Sequence, residues 1–230
     1  MGGNETLAKA GETLQANDDV QTRLPGRIGG RFIPNAAVLA AEQVLARMSA
    51  PTGETPAFPF AAWPTETFGR RTYMYLNDEG IEILHQPAAH SDSDAIVFFR
   101  RSDVIVAGDI LDTTRFPVID VARGGSVQGE LNALNRLIET AIPSVPLVWR
   151  ETGTLVVPGH GRVSDQFDVV HHRDMVQIVR DHVVDLMKSG KTLDQIQAAL
   201  PAKGYAPQYG SDSGPWTTND FIEAIYRSSK

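Results

Sequence analysis

Cysteine is missing from all 230 residues. That excludes disulfides and thiolate-held zinc, and it leaves cytoplasm and periplasm equally open. Long apolar runs are missing too: no stretch approaches the eighteen or so residues a membrane helix needs, and no charged-then-apolar leader opens the chain. No membrane partner is therefore expected, and no signal peptide is read in these residues, where any signal is expected to precede them. Positive charge is in short supply, with Lys+Arg 21 against Asp+Glu 28, a net charge of −7 and no basic run. A surface of that sign repels phosphate backbones, which excludes nucleic acid as the expected partner and leaves a small-molecule substrate. Internal repeats are absent. The glycine pairs at 29–30 and 124–125 lack the strand-to-helix setting of a phosphate loop and read as turns.

What is present is enough apolar material for a core: 42% of residues are hydrophobic, and one α/β domain over 1–230 is the expected count. The most informative stretch is 85–111. Residues 95–99 and 104–107 are β-branched or aromatic runs that read as an antiparallel hairpin. The loop before the first strand and the end of the second then share one edge, so His90 and Asp109 should be neighbours. A third strand, from 154, stops at Gly159 and delivers His160. Two imidazoles and a carboxylate at strand ends form a ligand set of the kind zinc takes.

The order of these pieces is H-x-x-x-x-H-S-D-S-D over 85–94, then V-A-G-D-I over 106–110, then V-V-P-G-H-G over 156–161. It resembles the metallo-β-lactamase superfamily in its broad metallohydrolase sense. The resemblance implies an αββα sandwich carrying one or two zinc ions, with His90 on the first metal, Asp109 bridging and His160 on the second. Aspartate rather than cysteine at 109 is similar to the hydrolase branches. The same resemblance makes Asp94 a structural aspartate that ties loop N–H groups and supports a ligand through them. His85 is expected to be a strand-end or ligand-supporting residue.

Family members also carry H-x-H-x-D-H followed by x-G-G-N. This chain starts Met1-Gly2-Gly3-Asn4, so the motif's last histidine would be the residue just before Met1. The expectation is a sandwich incomplete at its N-terminus, lacking three histidines and the aspartate that positions the attacking water. An unpaired sheet edge should then favour poor solubility or homo-oligomers. The intact form is expected to hydrolyse an ester, thioester, amide or phosphoester through metal-bound hydroxide. This chain alone should bind zinc weakly and be inactive. The rival reading is a non-catalytic truncated or degenerate protein of the same fold.

Along the rest of the chain, 4–11 reads as a short helix closed by Gly11, 12–16 as a strand and 17–24 as a capped helix. Apolar positions from 38 to 48 predict one helix over 35–48. Residues 49–64, rich in proline and aromatics, either border the active site or strap the sheet. Strands are expected at 65–68, 72–76 and 81–84, the last two joined by a hairpin. Asp112, Thr113 and Thr114 read as solvated turn residues, with lining the pocket as the alternative. Ser126 should cap a helix to about 140, and helices follow from about 165. His171 and His172, adjacent on the first of these, face different ways and have no i+4 partner of metalloprotease type.

Overall fold

The sequence Leu76-Asn77-Asp78-Glu79 turns the chain back on itself because Asn77 and Asp78 both adopt left-handed backbone, at φ 51° and 61°. Two such residues make the mirror-image turn whose twist suits paired strands, and Asn and Asp tolerate it well. This hairpin joins β3 (Arg71–Leu76) to β4 (Glu79–Gln86), and β5 (Asp94–Phe99), β6 (Val104–Asp112) and β7 (Leu155–His160) complete a sheet in the order β3-β4-β5-β6-β7. In the computed structural model the described residues are 3–11, 36–50, 57–144 and 153–230. The chain divides into two compact units, Met1–Gly69 and Arg70–Lys230.

In the first unit, α1 (Asn4–Ala10) ends as expected at Gly11. The glycine is needed for space rather than handedness, since a Cβ there would lie 2.4 Å from that of Ala36. The strand and helix expected at 12–24 fall outside the described residues. The single helix expected over 35–48 is corrected. Residues Leu39–Ala41 form β1, parallel to β2 (Glu66–Phe68), and only Glu42–Ser49 is helical, as α2. Pairing with β2 supplies the backbone partners that a helix would have supplied, and apolar residues at 38, 39 and 41 suit either period. Near the unit's end, Trp63 Nε1 donates to Phe58 O at 2.8 Å across a 3₁₀ turn at Phe60–Ala62.

In the second unit the sheet is antiparallel from β3 to β6, and β7 joins β6 in parallel after the crossover helix α3 (Val127–Thr140). Parallel neighbours require such a crossover. Ser126 caps α3 as expected, its Oγ accepting from Gly129 N at 3.0 Å and donating to Ala88 O at 3.1 Å. The long helix α4 (Gln166–Lys188) starts in a reciprocal cap between Asp165 and Asp168. Then follow α5 (Leu193–Ala198), α6 (Ala206–Tyr209) and α7 (Thr218–Ser228). Leu134 and Leu137 of α3, Val176 and Val179 of α4 and Phe221 of α7 close the core over Ile96, Ile105 and Val156 of the sheet, all fully buried. Phe221 stacks on Phe116 at 4.9 Å. The class is α/β, as expected. The second large sheet of a sandwich is not among the described residues, where the other sheet is β1-β2.

Candidate functional site

Two of the three strand-end residues meet. Asp109 Oδ1 lies 3.5 Å from His160 Nε2, each side chain about half exposed. Local backbone explains how. Gly108, at φ 56°, sits where the β6–β7 register slips, so β6 stops alternating. Asp109 turns outward while Ile110, Leu111 and Asp112 are all buried. Gly159 leaves the room the carboxylate fills, since a Cβ there would stand 2.5 Å from Asp109 Oδ1. The backbone of Thr113 then donates to His160 O at 3.1 Å, holding the two strand ends together.

His90 is held separately. Its Nδ1 is 2.7 Å from the carbonyl of Val118, and since a carbonyl only accepts, Nδ1 carries the proton and Nε2 is left as the lone-pair atom. Its own carbonyl accepts from Asp120 N at 2.8 Å, and a Cβ on Gly125 would come within 2.4 Å of the same oxygen. The loop at 88–92 is thus pressed against the approach to α3. His85 uses Nε2 to donate to Asp92 O at 2.7 Å, pinning the far side of that loop.

Asp94 ties the loop from within: Oδ2 accepts from Ser91 N at 2.6 Å and Oδ1 from Ser91 Oγ at 3.3 Å. Burial pushes its carboxyl up, the Ser91 N–H opposes that, His90 pulls it down and Asp109 raises it again. Among the described residues no three His, Asp or Glu side chains gather closely enough to hold a metal ion. The described donors therefore do not fit a complete zinc site; they make a pair, Asp109 with His160, and a separate imidazole.

Asp112 corrects the reading of a solvated turn residue. It is 4% exposed, its Oδ1 accepts from Thr114 N at 2.8 Å and Thr114 Oγ1 at 2.6 Å, and Oδ2 pairs with Arg115 at 3.0 Å. Paired in this way, the carboxylate can be buried, and it fixes the turn leaving β6.

Two titratable groups are buried where the sequence reading assigned no burial: Glu130 it did not single out, and His172 it weighed only against a metalloprotease-type partner. Glu130 is fully buried in α3, neither oxygen has a partner among the described residues, and burial followed by the charge of Asp94 holds its carboxyl well above the usual range. His172 is 1% exposed, also without a partner on either nitrogen, and burial lowers it to about 4. Both occupy apolar stripes, at 127-130-134-137 and 169-172-176-179, and a titratable residue in such a stripe was the available signal.

No family model and no curated protein matches the sequence. Among solved structures the chain is similar to the stereoselective inverting sec-alkylsulfatase Pisa1 from Pseudomonas sp., at 12% identity over 84% of this chain and 36% of that one, with a TM-score of 0.51. It is also similar to a metallo-β-lactamase from Pontibacter korlensis, at 17% identity over 62% of this chain and 58% of that one, with a TM-score of 0.46. The B3 metallo-β-lactamase BLEG-1 gives 17%, 61%, 65% and 0.45 in the same order. The chain thus spans less than two thirds of the length of each. The chain has the metallo-β-lactamase fold.

Proposed function

We propose that this chain belongs to a hydrolase acting on an ester, thioester, amide or phosphoester of a small-molecule substrate, and that residues 1–230 by themselves hold zinc weakly and turn over poorly. The observation that carries the reading is the 3.5 Å approach of Asp109 and His160 at the ends of adjacent parallel strands, made possible by Gly108 and Gly159. His90 supports it. A histidine whose Nδ1–H is spent on a carbonyl has its ring fixed and Nε2 available, the usual posture of a ligating imidazole. The protein's own residues orient His90, keep Asp109 outward and tie His160 to the turn after β6.

The weak-metal part follows from the donors. A catalytic zinc site takes three protein ligands in close array, and the described residues bring two together. A non-catalytic role for this fold is the second reading, favoured by that same count.

Elemental analysis after dialysis should find less than one zinc per chain. A panel of ester, thioester, amide and phosphodiester substrates should show slow turnover that rises with added zinc and is lost in Asp109→Asn. Turnover indifferent to both zinc and Asp109 would remove the hydrolase reading. Two tightly held zinc ions with fast turnover would remove the weak-metal one.

A further inference from the structure

Beside the strand-end pair lies a cavity of about 380 Å³, between α4 and the stretch that carries Tyr205 and Tyr209. It is joined to the site through the backbone, since Thr113, on its wall, donates from Oγ1 to His160 O at 3.4 Å. Its volume falls toward the lower end of small-molecule pockets.

Two charges line it, and they are not equally free. Asp168 has both oxygens engaged: Oδ1 accepts from Arg162 Nη2 at 2.5 Å and Oδ2 from Asp165 N at 3.2 Å. A guanidinium carries five N–H donors. Arg162 spends one on Asp168 and one, from Nη1, on Val163 O at 3.3 Å, which leaves three. Its side chain is 69% exposed, so those three are open to a ligand. Asp168 meanwhile fixes the guanidinium, being itself held in the reciprocal cap that starts α4. The Tyr209 hydroxyl lies close enough to feel Asp168, Tyr205 and Arg162. Burial first, and then Asp168, raises it, so it keeps its proton and can donate.

A planar fork with spare N–H groups and phenol hydroxyls beside it suits a planar acceptor that takes two parallel bonds. A doubly charged phosphate fits less well, because Asp168 already offsets much of the one positive charge. A cation would meet the guanidinium directly. The remaining wall includes Met175, the tyrosine rings and the ring of His172, whose nitrogens are closed off, and it suits an apolar body.

We propose that this cavity is a binding site for a small organic monocarboxylate. Arg162 and the hydroxyls of Tyr205 and Tyr209 hold the carboxylate, and the apolar body packs on Met175. The assignment stands on the cavity and not on the hydrolase reading.

Binding is measured on the full chain with EDTA present, so that zinc at the strand ends plays no part. Ligand-observed NMR compares benzoate with benzamide, which has the same ring and no charge, and with benzylamine and phosphate. The ring signals of His171, on the cavity wall, report the place of binding. The expected result is millimolar binding of benzoate, at least tenfold tighter than that of the other three, with a shift at His171. Arg162→Gln should weaken it at least tenfold through the loss of charged hydrogen bonds. Arg162→Lys, which keeps the charge without the fork, should fall between, and Tyr205→Phe, which removes only a hydroxyl, should weaken it less. Benzamide, benzylamine or phosphate binding as tightly as benzoate, benzoate binding unchanged in Arg162→Gln, or binding without a response at His171 would each overturn the proposal. Benzoate binding in a chain that hydrolyses nothing would leave it standing while the hydrolase reading fell.

Discussion

Lowering the pH from 7 toward 4 places a demand on His172 that its folded surroundings resist. In the unfolded chain the imidazole takes a proton near its ordinary 6.5; in the fold, burial lowers this to about 4, and the opposing charge of Asp112 offsets only part of the effect. The unfolded state thus binds the proton first, so this residue's contribution to stability is intact above about pH 6.5 and is lost as pH falls toward 4. Each tenfold change in proton affinity corresponds to about 1.4 kcal/mol, which makes the full loss about 3 kcal/mol and the loss at pH 5 about 2 kcal/mol. Against a typical domain stability of roughly 5–15 kcal/mol, that is a large fraction.

The assay is urea unfolding of wild type and His172→Phe across pH 4.5–7.5. Phe retains a ring of similar size against Tyr209 but cannot titrate. Other groups, including Glu130 and Asp94, titrate alike in both proteins and cancel in the difference. The variant should gain on wild type by about 2 kcal/mol between pH 7 and pH 5. An NMR titration of the ring should show it still neutral at pH 5. Parallel stability curves, or a ring that protonates near 6.5 in the folded protein, would refute the reasoning.

Glu130 gives the opposite sign. Its carboxyl is raised in the fold, so its contribution falls as pH rises from about 4.5 through the folded value. Glu130→Gln, nearly isosteric, should be more stable than wild type at pH 7 with the gap closing below pH 4.5; a constant gap in chemical denaturation would contradict this. Gly159→Ala puts a methyl 2.5 Å from Asp109 Oδ1 and should cost about 1–3 kcal/mol. It should also displace Asp109 from His160, read as a lower Tm and changed His160 ring chemical shifts by NMR; unchanged shifts would show that the glycine does not set the approach. Ser126→Ala removes the α3 cap and its tie to Ala88, for an expected loss of about 1 kcal/mol in unfolding free energy. A loss below about 0.3 kcal/mol would mean water replaces both bonds.

Much of this architecture was legible because local chemistry and tertiary structure agree. Asn77-Asp78 dictates a tight turn whatever surrounds it, and Ser126, Asp165 and Thr217 each precede a helix whose N–H groups they cap. The V-V-P-G-H run could only be a strand meeting an abrupt stop. Residues 38–41 misled because three apolar positions fit a helix as well as a strand, and the choice was made by Glu66–Phe68, which no local window contains. Asp112 misled because acidic residues after a strand are usually solvated; here Thr114 and Arg115, its own neighbours, supply enough donors to bury it. Glu130 was hidden by a bias in reading stripes, which sees the apolar members and passes over the polar one among them; His172 was read against its neighbour His171 and not against the stripe it sits in. The meeting of Asp109 with His160 was foreseeable as topology. Its dependence on two glycines was not, since the slip at Gly108 and the space at Gly159 exist only in three dimensions.

The mixed pairing of β6 also sets an order of assembly. Its contact with β5 is a tight hairpin that closes over a few residues, whereas its contact with β7 joins Val104 to Leu155 and can form only with α3 carried across between them. Closing that longer loop sacrifices more chain entropy before any contact repays it. Asp109 thus stands on a strand held by local hairpin pairing, and His160 on the least local strand of the sheet. Releasing β7 would separate the two and also bare Val156, which is fully buried in the core, so the site and the core share this strand.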